Sequence, residues 1–584
     1  MTKTPLMVGV TGHRDLILES EKLVSGQVRE FLANLQSSLP NTPLMLMTGL
    51  ADGADRLVAR IALELGILVQ AVLPMPMAMY EKDFSRESRE DFKSLISQED
   101  IELIELPLPQ DVDADLVAEY GPERDKLYAQ LGEYLIERSG ILIALWDGSN
   151  SDLLGGTSDV VLRYLNAGGA GSSVQKEILF LDKTETNAGG PEFVYWVPVT
   201  RASVELEVAP LPEQGIFLSG NLGCNTLYKQ TSMPKELQLQ MQHLEDYNQQ
   251  YEEIVAGGKF FTWGGMLENL PDNEAHPEYP VLKAIDDEYQ KADGLALYNQ
   301  KFSDQQFKLF AYMAALMGLL FLLYAKIIAA KVFLIGYLAL FIAGLVMVRK
   351  TEHKHWFTRH LMQRVIAETL RTRFYLVLAG IDRRVNVDRM LDLTGVKQFS
   401  GFSWINQIFH SHQSIDGTVK SREVQQADIE YACDAWLDDQ AGYFKSKVEK
   451  LSHHHHRLEK IKTRLLIASA VSVVLLILFK KYLAGAVLVG HLDMKTLLVF
   501  FMGLLPFWLG VWEIYQSKMA IKELLWQYRN QDKMFSLARV QIKHSNTIEE
   551  KRTILANLGE KSLMENYLWT IHRYHREHEP PTAG

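Results

Sequence analysis

Only two cysteines, Cys224 and Cys433, occur in 584 residues. They lie far apart and form no CxxC pair. That excludes a disulfide scaffold and a cysteine-based zinc site, and it fits a reducing compartment. Basic residues are in deficit: 60 Lys and Arg face 72 Asp and Glu, a net charge of −12 at pH 7. A general nucleic-acid-binding surface needs clustered Lys and Arg, so neither DNA nor RNA is an expected partner. No charged leader followed by an apolar core opens the chain. Residues Leu6–Val10 instead read as a strand, followed by Gly12, His13, Arg14 and Asp15. The amino-terminal part is therefore expected to stay in the cytoplasm. With 47% apolar and 23% charged residues, the chain is neither disordered nor collagen-like. At roughly 100–200 residues per domain, three or more units are expected.

Charge is also missing from four runs in the second half: Leu309–Ala325, Val332–Val348, Leu465–Phe479 and Thr496–Trp512. A membrane span needs ~20 apolar residues, with a range of ~17–25. These runs are short but sufficient, and Tyr324, Trp512 and Tyr515 near their ends suit the interface. Four buried core helices are the competing reading. The all-round apolar character and the pairing of the runs, with Lys and Arg at both ends, favour spans. Lys480 and Lys481 end the third run early and are expected to snorkel, with Tyr482–Gly490 interfacial or re-entrant. The loops within the two pairs carry five basic residues, Lys326, Lys331, Lys480, Lys481 and Lys495. The other flanks carry more, including Arg349, Lys350, Arg359, Arg457, Lys462, Lys518 and Arg529. By the positive-inside rule both termini and the middle segment are expected in the cytoplasm. No ionisable residue lies inside a run, which weakens a proton- or ion-coupled transporter.

Each pair reads as helix, hairpin and charged helix. Trp356–Leu378 follows the second run, Ser517–Ile542 follows the fourth, and a duplication is expected. The run His453–His456 reads as a solvated, pH-sensitive face, since no carboxylate or cysteine completes a metal set beside it. No metal is expected. Trp263 lies in a glycine-rich stretch with no evident role, and Pro580–Pro581 end a tail expected to fray.

The first 200 residues alternate strand and helix. Strands are expected at Leu6–Val10, Leu44–Thr48, Leu68–Leu73, Ile101–Leu106, Ile141–Leu145 and Ile178–Leu181. Such alternation predicts an α/β Rossmann-like parallel sheet covered on both faces. An α-helical membrane domain with four transmembrane helices in two hairpins would follow it. Ligands bind such sheets at the carboxyl ends of the strands. Three loops there carry candidate chemistry: Thr11, Gly12, His13 and Arg14; then Thr48, Gly49, Asp52, Gly53 and Arg56; then Trp146, Asp147 and Gly148, with Gly155, Gly156 and Thr157 opening a helix. Glycine lets backbone approach a ligand, and free N–H groups at a helix start favour phosphate. The threonines add hydroxyls, Arg14 or Arg56 can neutralise phosphate charge, and Asp52 or Asp147 can accept from ribose or a base. Turn glycines and helix-capping Asp and Thr are the plainer alternative.

The blocks Val8–Asp15, Thr48–Arg56, Leu73–Pro76 with Tyr80 and Asp83-Phe84, Ile141–Gly148 and Gly155–Thr157 resemble the SLOG superfamily. This Rossmann-like group includes the LOG nucleotide phosphoribohydrolases, DprA and the sensor domains of TRPM channels. The membrane units resemble SLATT modules, two-helix effectors of bacterial conflict loci, through Tyr298, Ala367, Glu368, Arg371, Trp436, Gln440 and Tyr443. LOG hydrolases share a PGGxGTxxE signature. Here Val160 stands where its glutamate would fall, so the resemblance implies nucleotide binding more than hydrolysis.

The resemblance thus implies a SLOG-like sensing domain at 1–200 and a partly helical cytoplasmic connecting region at 201–300. Membrane units follow at 301–380 and 431–545, with a cytoplasmic connector at 381–430 and a helical tail at 546–584. The favoured expectation is a sensor of a nucleotide-derived signal, a cyclic oligonucleotide or ADP-ribose derivative, coupled to an oligomeric pore in the bacterial inner membrane. Its setting would be antiphage defence by abortive infection, with a signal-producing enzyme encoded nearby and no other cofactor. The alternative is a membrane-anchored nucleotide N-glycosidase, with Asp52, Asp147 or Asp159 as acid or base.

Overall fold

The computed structural model describes residues 3–108, 117, 121–151, 153–165, 178–182, 192–203, 212, 214–220, 225–262, 264–270, 276–352, 354–381, 403–416, 426–489 and 492–578. Cys224, Trp263 and Pro580–Pro581 lie outside them. The chain divides into two compact units. One comprises Met1–Lys259, Pro271–Glu288 and Leu391–Glu423, and the other Phe260–Leu270, Tyr289–Met390 and Val424–Gly584.

The first unit is built on a nine-stranded sheet of order β4-β3-β2-β1-β5-β7-β8-β9-β6. Its elements are β1 (Leu6–Gly12), α1 (Leu18–Ser38), β2 (Leu44–Thr48), α2 (Ala54–Glu64), β3 (Leu68–Leu73), α3 (Met77–Tyr80), α4 (Arg86–Ile96), β4 (Ile101–Glu105), α5 (Pro122–Arg138), β5 (Ile141–Trp146), α6 (Thr157–Tyr164), β6 (Leu179–Asp182), β7 (Val194–Pro198), β8 (Ile216–Gly220), β9 (Thr226–Gln230) and α7 (Lys235–Ala256). β1 and β5 are almost wholly buried, which is why they read as unbroken apolar runs: helices cover both faces. β4, at one edge, exposes Glu102 and Glu105, charges that discourage edge-to-edge pairing. On one part of the sheet Met7, Met47, Val72, Ile104 and Leu135 form a core. On another Leu142, Trp146, Val161, Val194 and Leu218 form a second.

The sheet is mostly parallel, with two antiparallel pairings, β7 with β8 and β8 with β9. β7, β8 and β9 are additional to the strands expected from the sequence, and β8 and β9 fall in the segment expected as a connecting region. Antiparallel neighbours need no crossover helix between them, so strand–helix alternation is not a signal that finds them. β6 also departs from a simple wound sheet. It pairs with β9 at the far edge rather than beside β5. The helix Ile405–Asp416 belongs to this unit as well, and its Gln407 Nε2 donates to Gly140 O at 3.2 Å.

The strand order reverses between β1 and β5: the chain winds outward through β2, β3 and β4, then returns to β1's other side. A crevice at such a switch point is the usual ligand position in an open parallel sheet.

The second unit is helical. α8 (Tyr279–Leu322), which belongs to this unit from Tyr289 onward, and α9 (Lys331–Glu352) form one hairpin, and α10 (Trp356–Leu378) returns from it. The long helix Asp439–Gly485 and the helix Met494–Met519 form the other, and Ile521–His544 returns from that. All four hairpin helices are long and apolar enough to cross a membrane. Their most apolar windows are only 0%, 0%, 11% and 11% buried within the protein. They are therefore not core helices buried within this chain, and an apolar surface of this extent suits a membrane. The third helix continues past Phe479, whose backbone is non-helical (φ −120°, ψ 19°), to Gly485. A short strand pair, Val487–Val489 with Leu492–Asp493, then leads into the fourth.

Both hairpins share one local device. His355, before α10, and Ala520, before Ile521–His544, each adopt a left-handed conformation (φ 45° and 49°). This conformation is uncommon for residues with a Cβ. Its recurrence at the same place in the two halves supports the duplication read from sequence.

Candidate functional site

The loop after β1 lies on β5, with His13 N donating to Leu145 O at 3.1 Å. Gly12 sits where β1, β5 and the start of α2 meet. A Cβ there would fall 2.4 Å from the Ala54 Cβ and 3.0 Å from Leu145 O. Gly53 has φ +75°, and a Cβ on it would fall 2.4 Å from Arg14 O. Ala54 N donates to His13 O at 3.1 Å. The first and second loops are thus in backbone contact, and glycine is what permits it.

The third loop joins through a side chain. His13 Nε2 lies 3.1 Å from Asp147 Oδ1. Ser149 donates to the same oxygen from its N and Oγ, at 3.0 and 2.7 Å. Burial opposes the Asp147 charge, but the His13 imidazole and the hydrogen bonds from Ser149 outweigh it and hold the carboxyl below its usual range. Further on, Gly155 (φ +73°) packs on α5, where a Cβ would fall 2.5 Å from Ala129 N. Its N–H donates to Asp159 Oδ2 at 2.9 Å. Gly156 then caps α6, and Thr157 is its first residue.

Arg14 faces α5, its guanidinium 5.0 Å from the centre of the Tyr128 ring. Burial works against its charge, yet Tyr128, Tyr80 and Asp55 more than compensate and raise its pKa further. Tyr128 donates to Asp83, and the buried Arg124 pairs with the same carboxylate. Behind them Tyr80 OH donates to Gly49 O at 3.0 Å. Asp55 is buried beneath the second loop and accepts from Ala51 N at 3.3 Å. Burial pushes it up to about 6, against the pull of the Ala51 N–H and the Arg14 charge.

Of the residues singled out from sequence, Gly12, His13, Arg14, Gly53 and Asp147, with Gly148 beside it, are brought together at the β1–β5 switch point, while Gly155 lies against α5 and Gly156 against Leu153 and Ser151. Others serve the scaffold. Arg56 is buried, with Nε donating to Leu50 O at 3.0 Å and Nη1 to Ser88 O at 2.9 Å. It also pairs with Asp52 at 2.8 Å, and Asp52 accepts from Ser88 Oγ. Both residues brace the second loop against α4. Thr48 is buried and its Oγ1 accepts from Leu50 N at 3.3 Å. Thr11 is buried, a Cβ on Gly49 would meet Leu131, and Trp146 is fully buried with Nε1 donating to Ser149 O at 2.9 Å. Asp159 is fully buried against Gly155 N–H.

Sequence reasoning missed Arg124 and Tyr128. Their i, i+4 spacing on α5 marks one helix face, but only the fold shows that this face meets the strand ends. A guanidinium, an imidazole and helix starts arranged this way suit an anionic group such as phosphate. No group of three or more His, Cys, Asp or Glu among the described residues is placed to hold a metal ion. A scan against protein-family models finds no match for the chain, and a search of curated proteins finds none either.

Proposed function

We propose that the chain is a ligand-gated membrane effector: the sheet unit binds a nucleotide-derived signal and the four spans open the membrane. One juxtaposition carries this reading. A switch-point crevice bearing Arg14 and His13 lies in the same chain as four helices whose apolar windows are almost wholly unburied. The resemblance of the two parts to SLOG and SLATT modules supports it, and points to a cyclic oligonucleotide or ADP-ribose derivative as the signal. The same resemblance supports a bacterial inner-membrane protein of antiphage defence, whose opening arrests the infected cell. A ligand opens such a protein only by binding the open arrangement better than the closed one. Four short uncharged spans do not enclose a pore alone, so several copies assemble.

The test is dye release from liposomes carrying the full-length protein, with cyclic oligonucleotides and ADP-ribose as probes. A probe that opens the membrane should do so at least tenfold less potently with Arg14→Ala. Binding without release, with free base or ribose phosphate accumulating, would overturn the effector reading in favour of an N-glycosidase.

A further inference from the structure

The helical unit holds a cavity of about 950 Å³, built wholly from its own residues. Its walls come from segments adjoining all four spans. Tyr289 and Asp293 precede the first, and Arg364 to Tyr375 follow the second. Trp436 to Lys447 precede the third, and Tyr528 and Gln531 follow the fourth.

A charge network lies in one wall. Arg364 Nη1 is 3.3 Å from Asp293 Oδ1, and Arg364 also pairs with Glu368. Arg371 Nη1 is 3.0 Å from Glu368 Oε2, and its Nη2 donates to Tyr289 OH at 2.7 Å. Burial opposes the Glu368 charge, but the two guanidiniums outweigh it and lower its pKa. This network is electrically closed, two cations against two carboxylates. The remaining charges in the lining balance as well, Lys447 and Arg573 against Asp434 and Asp439. His360 adds nothing near neutral pH, since burial pushes it down to about 3. A polyphosphate therefore meets no surplus of positive charge.

What the walls offer instead is rings and hydrogen-bonding groups. Trp436, Tyr443, Phe444, Tyr528 and Phe535 present aromatic surface, and Gln300, Gln440 and Asn566 present amides. Trp569 Nε1, in the same lining, is a buried donor with no acceptor among the described residues. A buried donor left unpaired is costly, so an acceptor arriving there is favoured. Ligand pockets range over roughly 300–1,000 Å³.

We infer that this cavity is a second ligand site, for an uncharged heteroaromatic molecule of nucleoside size. Its ring stacks on the aromatic wall, and its hydroxyl, amino and ring-nitrogen groups meet the amides, the Asp434 and Asp439 carboxylates and the Trp569 N–H. Because the walls adjoin every span, a molecule seated there bears on the setting of all four. The inference does not depend on what binds at the strand ends.

Radiolabelled adenosine, with ATP as the comparison, tests it by equilibrium dialysis on the full-length protein in detergent. Tyr443→Ala and Asp439→Asn are the cavity variants. Tyr443 is 37% exposed at the rim, so its loss leaves the helix core intact. Arg14→Ala controls for the other unit. The expected result is saturable adenosine binding, at least tenfold weaker in both cavity variants, unchanged in Arg14→Ala and poorly displaced by ATP. Any of four outcomes overturns the inference: no adenosine binding, tighter binding of ATP at the same site, unchanged binding in both cavity variants, or loss in Arg14→Ala alone.

Discussion

Asp55 is a carboxylate that the fold keeps out of water beneath the second strand-end loop. Its pKa stands at about 6 against 3.8 for a free side chain, because burial outweighs the Ala51 N–H and the Arg14 charge. The native state then holds this proton more tightly than the unfolded chain does. Stability from this residue is fully present below about pH 4, falls as pH rises through 6, and is flat above. The rise corresponds to roughly 3 kcal/mol. Asp55→Asn keeps an acceptor oxygen and carries no charge, so it should gain on the wild type between pH 4.5 and 7.5 when melting of the full-length protein is followed in detergent. Parallel melting curves across that range would refute the assignment. At this scale the sequence was legible in type but not in direction. Gly12, Gly53 and Gly155 announced close backbone approach, and each is required by it. Arg56 looked like a phosphate ligand as much as Arg14 did. Only packing decides that one binds Leu50, Ser88 and Asp52 while the other remains at the crevice.

Among the elements, the first and fourth spans meet at Gly318. A Cβ there would lie 2.0 Å from the Phe507 ring, and Trp508 Nε1 donates to Ala315 O at 3.0 Å beside it. Small residues that let helices approach are a common basis of packing in lipid, where apolar burial gives little drive. Gly318→Leu forces the two helices apart and should destabilise the protein by about 1–3 kcal/mol, a typical overpacking cost. Phe507→Ala removes the opposing ring. The double variant should therefore lose less than the two single losses added together. Strict additivity in detergent melting would show that the two side chains do not meet. The apolar runs themselves were plain in the sequence, because absence of charge over 15–17 residues is a one-dimensional signal. The glycine that matters was not: Gly510 meets nothing within 4 Å and Gly318 meets a ring, a difference set by the neighbouring helix. The strands divide in the same way. Parallel strands separated by helices were legible, whereas β7 to β9, each antiparallel to the next, were not.

For the whole molecule, the acidic net charge and the uncharged spans describe different parts, and the basic residues at the span ends join them. Five Lys lie in the two short loops, and the longer flanks carry the larger share, so the positive-inside rule predicts both loops outside. The repeated left-handed junctions at His355 and Ala520 add a structural reason for treating the halves alike: two copies of one hairpin, each followed by a returning charged helix, are predicted to enter from the same side. The consequence is measurable in a chain with Cys224 and Cys433 replaced by serine. Single cysteines are placed at Ala329 in the first loop, Ala484 near the second, and Asn546 after the last returning helix. In intact spheroplasts a membrane-impermeant maleimide should label Ala329→Cys and Ala484→Cys and spare Asn546→Cys until the cells are opened. If the two loop positions label from opposite sides, the hairpins are not equivalent. The duplication and the placement of the soluble mass on one side then fail together, and with them the arrangement by which a cytoplasmic ligand would act on all four spans.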